Sequence, residues 1–194
     1  MYFRRKNKSM RKILYMLGLA LMLSGIYSSC KKDSLEAMRE AELSELDKLV
    51  QDNDLTDAKD TSGIYFKLLH ENPTGTKIEA GYKVMLNYHI ITLGDSIVAF
   101  SSQDEQGNHF EDIPFFVAAK NDETNTFSLQ RIEGMHIGLK KMRIGEQAFF
   151  IVPSQLAFKA VRSNTGFANL PAFSTLLVTV YAKSGYDLTP NEED

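Results

Sequence analysis

Histidine and cysteine are the side chains that most readily bind metals, move protons or attack carbonyls, and this chain is poor in both. His70, His89, His109 and His136 are scattered, without the short spacings that bring two imidazoles onto one ion. No metal and no cofactor is expected. The G-x-S-x-G nucleophile elbow and the phosphate-cradling glycine loop are both missing, and Gly134 and Gly138 read as packing glycines. The chain does offer aromatic and aliphatic material, with 12 phenylalanines and 8 tyrosines. Taken singly, each reads as ordinary core. As a group, such residues can build a core or line a dry apolar pocket.

The sole cysteine, Cys30, has a telling position. Arg4, Arg5, Lys6, Lys8, Arg11 and Lys12 form a basic stretch without an acid, and Ile13 to Tyr27 follows as an apolar run of 15 residues. Ser28-Ser29 then precedes the cysteine. The run is short and one-sided for a membrane span. The layout resembles a bacterial lipoprotein signal, in which cleavage after residue 29 leaves Cys30 as the lipid-bearing first residue. Removing residues 1–29 takes away six cations and moves the formal net charge from −3 to −9. So acidic a chain is not expected to bind nucleic acid or to carry a polybasic membrane footprint. A lipidated Cys30 also leaves no thiol for disulfides or cysteine catalysis.

The remaining chain must position the apolar residues. Leu35, Met38, Leu46 and Leu49 partly follow a helical period, which predicts an amphipathic helix from Ser34 to Gln51, with Asp33 and Glu36 as a capping pair. That helix is either a solvated stalk or a stripe that docks on the domain or dimerises through residues 34–51. Strands are predicted over Gly63–Leu69, Tyr82–Ile91, Ile97–Phe100, Glu146–Val152 and Thr175–Tyr181. In the second, Val84, Leu86, Tyr88 and Ile90 share one face and Lys83, Asn87 and His89 the other. Met135, Leu139 and Met142 recur at i, i+4 and i+7, the stripe of a short helix of two to three turns, with Gly145 as its stop. Helices are too few for βαβ crossovers, so the sheet is expected to be antiparallel. The fold class is α+β, with organisation 1–29 signal peptide, 30–61 charged helical stalk and linker, 62–184 folded domain, and 185–194 acidic tail.

Ile132 to Phe158 reads I-E-G-M-H-I-G-L-K-K-M-R-I-G-E-Q-A-F-F-I-V-P-S-Q-L-A-F. This resembles the FKBP-type prolyl isomerases, in which I-x-G-x-x-x-G-L-x-x-M leads through G-E into a strand ending in proline and L-A-Y-G. Ser62-Gly63-Ile64-Tyr65, Phe100-Ser101-Ser102, Leu170-Pro171 and Ser174-Thr175-Leu176 are further ordered matches over roughly residues 62–183. The resemblance implies an antiparallel sheet half-wrapped around one short helix. It implies that Tyr88 and Phe100 wall the prolyl pocket, that Met135 replaces its tryptophan floor, and that Ile132 offers its N–H to the substrate. Phe158 stands where the family has a hydroxyl-bearing tyrosine, Lys159 where it has glycine, and Ser101 where it has aspartate. Leu170 matches the isoleucine before the family's proline, and Val178 takes the place of a phenylalanine. The long segment 103–126, with Phe110, Phe115 and Phe116, is either a flap over the pocket or a decorated surface loop.

The implied function is a peptidyl-prolyl cis-trans isomerase acting on X-Pro bonds of exported proteins, held to the bacterial cell envelope (periplasm or outer membrane) through a lipid anchor. The alternative is a catalytically weak or inactive relative that binds proline-containing segments as a chaperone or scaffold.

Overall fold

The computed structural model describes residues 34–103, 111–118, 128–166 and 168–188. The signal segment, Cys30, Asp33 and Phe110 therefore lie outside the described residues. The chain divides into a unit ending at Glu40 and a second, Ala41–Asp194, which holds the domain.

Helix α1 spans residues 34–52. The strands are β1 (Tyr65–His70), β2 (Tyr82–Thr92), β3 (Val98–Ser101), β4 (Ile113–Phe116), β5 (Gln147–Val152), β6 (Ser163–Asn164), β7 (Asn169–Leu170) and β8 (Leu176–Asp187), with helix α2 at Glu133–Leu139. Five strands form an antiparallel sheet in the order β1-β5-β8-β2-β3, and β4 pairs with the start of β2 on the edge that β3 shares. β6 and β7 make a separate small hairpin. The predicted period of two is realised in β2, where Val84, Leu86, Tyr88 and Ile90 are buried. Register sets them in rows: Phe100, Ile90, Val178, Phe150 and Phe66 lie side by side across five strands.

α2 lies directly on β5, as glycine at two positions permits. A Cβ on Gly134 would come within 2.3 Å of Val152 Cγ1, and one on Gly138 within 2.6 Å of the Phe150 ring. The buried stripe is Met135, Leu139 and Met142, all without exposure. The helix is shorter than the spacing predicts. It ends at Leu139, and Met142 enters the core from the turn that follows. Gly145 does not stop the helix. Its φ of +88° serves the turn into β5, a conformation that glycine adopts without steric cost. Glu146, predicted as the first strand residue, is buried in that turn. Its carboxylate accepts the N–H of Arg143 at 2.7 Å and of Asn72 at 3.3 Å, and so ties the turn to the loop after β1.

From Ala41 onward α1 is docked, not a free stalk. Leu46 and Val50 pack with Tyr65 and Ile151 on the sheet face opposite α2. The Glu42 carboxylate is buried there. It accepts the Ser154 N–H (2.8 Å), the Ser154 hydroxyl (2.8 Å) and the Thr175 hydroxyl (2.7 Å). β8 also runs farther than predicted, to Asp187, where it pairs with Tyr82. The edge expected at residue 185 therefore falls inside a paired strand.

Candidate active site

Eight of the residues singled out above, Phe115 among them, meet in one apolar cluster beneath the sheet. Tyr88, Phe100, Ile132, Met135, Leu170 and Val178 are buried, and Phe158 packs on them half-buried. β2 and β3 bring Tyr88 and Phe100 to the same edge. Ile90 faces Phe100 across the pair, and Ser102 closes the strand end by exchanging hydrogen bonds between its hydroxyl and the Tyr88 backbone. Burial raises the Tyr88 phenol above its usual range, and the charge of Glu111 adds to the effect, so Tyr88 stays protonated at neutral pH.

Ile132 is the N-cap of α2, in extended conformation. Its own N–H donates to the Leu129 carbonyl at 3.2 Å, closing the turn before the helix. Met135 follows one turn later with no exposed surface. Beyond β5 the chain makes a short turn and presents Phe158, whose ring stacks on Phe100 with centroids 6.4 Å apart and planes 27° from parallel. Leu170, from β7, is buried beside them. Ser101 points to the other sheet face, where its hydroxyl meets His89 Nδ1 at 3.2 Å and the Gln103 N–H at 3.0 Å. It contributes nothing to the Phe100 side.

Phe115 and Phe116 part ways, as neighbours on a strand must. Phe115 is fully buried against His136, ring centroids 4.8 Å apart. Phe116 is 47 % exposed with Lys83 Nζ 5.5 Å from its ring centre. Of the pair, Phe115 belongs to the cluster and Phe116 is turned outward by the alternation of β4.

Sequence reasoning missed the residues that hold this segment. His136 Nδ1 accepts the Ala118 N–H at 3.1 Å, so Nε2 carries the proton and donates to the Gln130 carbonyl at 2.8 Å. The Gln130 amide, in the orientation that satisfies both of its ends, pairs with the backbone N–H and C=O of Phe116 at 2.9 and 3.0 Å. Burial lowers the His136 pKa, and nearby Lys140 lowers it further against the opposing pull of the Gln130 carbonyl and Glu133. The imidazole is therefore held neutral. Its position on the buried face of a helix next to Gly134 and Gly138 was a readable signal for a structural histidine. Its partner at Ala118 was not, because the two are 18 residues apart.

The cluster opens to solvent at Phe158. A cleft of about 420 Å3 begins there, lined also by Arg131, Glu133, Lys159, Val161 and Arg162. Lys159 has φ +57°, a left-handed conformation that costs an L-residue about 1–2 kcal/mol. Among the described residues no group of acids, histidines and cysteines is arranged to hold a metal ion. What the geometry offers is an aromatic edge at Phe158 beside a cleft that also holds Arg131, Glu133 and Lys159.

The sequence model of the FKBP-type peptidyl-prolyl cis-trans isomerases matches residues 74–182, more than half of the chain, and the chain belongs to that family. β1 precedes the matched range yet pairs with β5 inside it. The fold is similar to that of FkpA from Escherichia coli, with a TM-score of 0.60 at 15 % identity over 95 % of this chain and 75 % of that one. It is also similar to a peptidyl-prolyl cis-trans isomerase from Pseudomonas syringae, with a TM-score of 0.59 at 18 % identity over 78 % of this chain and 96 % of that one. No curated protein matches the sequence significantly. Family membership supports peptidyl-prolyl isomerase activity in a domain of this kind.

Proposed function

We propose that this protein isomerises X-Pro bonds of exported polypeptides at the face formed by Tyr88, Phe100, Ile132, Met135 and Phe158, while a lipid on Cys30 holds it to the cell envelope. The carrying observation is the convergence of these residues, from β2, β3, α2 and the turn after β5, on one apolar cluster whose half-buried member Phe158 stacks on Phe100 and borders an open cleft. The amide C–N bond rotates against a barrier of about 18–20 kcal/mol. The twisted amide is less conjugated and less polar at its oxygen, so an apolar surface that excludes water favours it over the planar ground state. Phe100 and Phe158 supply that surface for the prolyl ring. Leu170 and Val178 back it.

Two observations favour a second reading, binding without efficient turnover. Phe158 has no hydroxyl to donate to a substrate carbonyl, and the Ile132 N–H already has a partner in the Leu129 carbonyl. A protease-coupled assay with several X-Pro peptides and the purified full-length chain separates the two. Isomerisation above the uncatalysed rate is expected. Background rates with every peptide would sink the enzyme reading, and peptide binding under the same conditions would leave a chaperone-like or scaffolding module.

A further inference from the structure

Phe158, the β6–β7 hairpin and Leu170 all lie on the loop between β5 and β8, which has Ser154 near its start and Thr175 as its last residue. Both ends bind one side chain, Glu42 of α1. Glu42 Oε1 accepts the Ser154 N–H at 2.8 Å and the Thr175 hydroxyl at 2.7 Å, and Oε2 accepts the Ser154 hydroxyl at 2.8 Å. All three residues are buried. A single carboxylate therefore clasps the neck of the whole loop, in a place where an unmet donor would be costly.

Backbone bonds carry that constraint outward from the neck. The Ser154 carbonyl accepts the N–H of Ala157 at 3.0 Å and of Lys159 at 2.7 Å, the residues on either side of Phe158. The Lys159 carbonyl in turn accepts the Phe173 N–H at 2.9 Å, and the Ser174 hydroxyl donates to the Pro171 carbonyl at 2.8 Å. The arm that bears Phe158 is thus tied to the arm that bears Leu170. Between those bonds Lys159 is held at φ +57°, a conformation that persists in an L-residue only where its surroundings fix it. Ser154 is the shared element: one side of it meets Glu42, and the other sets the turn that presents the Phe158 ring to Phe100.

We propose that Glu42 is a positioning residue for the prolyl site: through Ser154 and Thr175 it fixes the neck of the β5–β8 loop and so sets the place of Phe158 against Phe100. The docked part of α1 is then a component of the site. The proposal rests on the reading of the Phe100–Phe158 face as the prolyl site. The flanking strands do not do this work by themselves. Their last pair, Val152 with Leu176, fixes where the strands end and leaves the ring at 158 to the bonds beyond. A misplacement of about 1 Å caused far from the substrate can cost on the order of a hundredfold. The family match covers residues 74–182, so Glu42 lies outside it, and the clasp comes from a part of the chain that the family pattern does not include.

The chain has no tryptophan, so Phe158→Trp in the full-length protein gives a single fluorescent reporter beside Phe100. Adding Glu42→Ala is expected to raise acrylamide quenching of that reporter at least twofold. Val50→Ala thins the same α1 interface without touching Ser154 or Thr175, and should leave quenching near the parent value. Glu42→Gln should also stay near the parent, because its amide oxygen accepts from the Ser154 N–H and the Thr175 hydroxyl while its NH2 donates to the Ser154 hydroxyl. If Glu42→Ala does not fold, Thr175→Val removes one of the three bonds and is expected to move the signal in the same direction. Equal quenching in Glu42→Ala and Val50→Ala, a glutamine no better than alanine, or a Thr175→Val signal identical to the parent would overturn the proposal. Turnover, measured with residue 158 unchanged, separates this idea from the isomerase reading. The kcat/KM of Glu42→Ala should fall at least fivefold, with Val50→Ala within twofold of the parent. An inactive parent with the expected quenching pattern removes only the isomerase reading, and an active parent matched by Glu42→Ala removes only the positioning role.

Discussion

At the scale of single residues, position 158 departs from the family pattern by one oxygen, with phenylalanine in place of tyrosine. The ring is already stacked on Phe100 at the rim, so adding a hydroxyl changes hydrogen bonding more than packing. Phe158→Tyr is expected to tighten binding of an X-Pro peptide by about 0.5–1.5 kcal/mol, up to roughly tenfold. Isothermal titration of both proteins with one peptide measures this, and an unchanged Kd would mean that position 158 does not face the ligand carbonyl. His136 makes a second prediction. Its pKa is lowered in the folded protein, while in the unfolded chain it stays near 6.5. Below that value the unfolded chain binds the extra proton first, so the stability that the neutral imidazole provides is present above about pH 6.5 and is lost as pH falls through the folded pKa. Protonation would also aim an Nδ1–H at the Ala118 N–H. Melting temperature should therefore fall between pH 7 and pH 5, and His136→Gln should flatten that slope. Parallel slopes would show that other groups set the acid response. The residue types at 136 and 158 could be read in advance. What each one touches could not.

At the scale of elements, the lesson lies in α1 and in the turn before β5. The apolar stripe of α1 was legible, but periodicity cannot say which surface covers it. Glu42 settled the matter, and nothing about a glutamate in a charged helix marks it for burial. It binds Ser154 and Thr175, more than 100 residues away along the chain. Glu42→Ala would leave two hydroxyls and a backbone N–H short of their acceptor in a buried place. The expected loss is about 2–3 kcal/mol, on the scale of a charge-assisted hydrogen bond. Urea unfolding would register it as a lower midpoint with the slope unchanged. A variant as stable as the parent would mean that α1 docks through Leu46 and Val50 alone. Glu146 plays a comparable part at the turn, where its carboxylate closes two backbone N–H groups. The G-E pair was visible in the sequence as a strand start, whereas its work as a clasp depends on a loop more than 70 residues upstream.

At the scale of the whole molecule, the proposed anchor and the domain make one device: acyl chains at Cys30 would hold the Phe158 cleft within reach of polypeptides near the membrane. Burial of acyl chains contributes about 0.8 kcal/mol per methylene, enough for stable anchoring when more than one chain is attached. Among the described residues no helix is long and apolar enough to cross a membrane. In a bacterial host, the wild-type chain is expected to take up radiolabelled palmitate and to sediment with membranes, and Cys30→Ala should lose the label and move to the soluble fraction. Labelling of the variant would rule out Cys30 as the acceptor. The sequence by itself determined the antiparallel α+β fold and the family, and pointed to most members of one apolar cluster, because strand alternation and glycine spacing are local and repeat along the chain. Tertiary structure alone decided that Phe115 is inside and Phe116 outside, that α1 is docked through Glu42, that His136 clamps the segment after β4, and that Arg131, Lys159 and Arg162 share one cleft. Each of those depends on groups distant in sequence meeting in space, and on burial that forces every polar group to find a partner. No local pattern encodes that pairing.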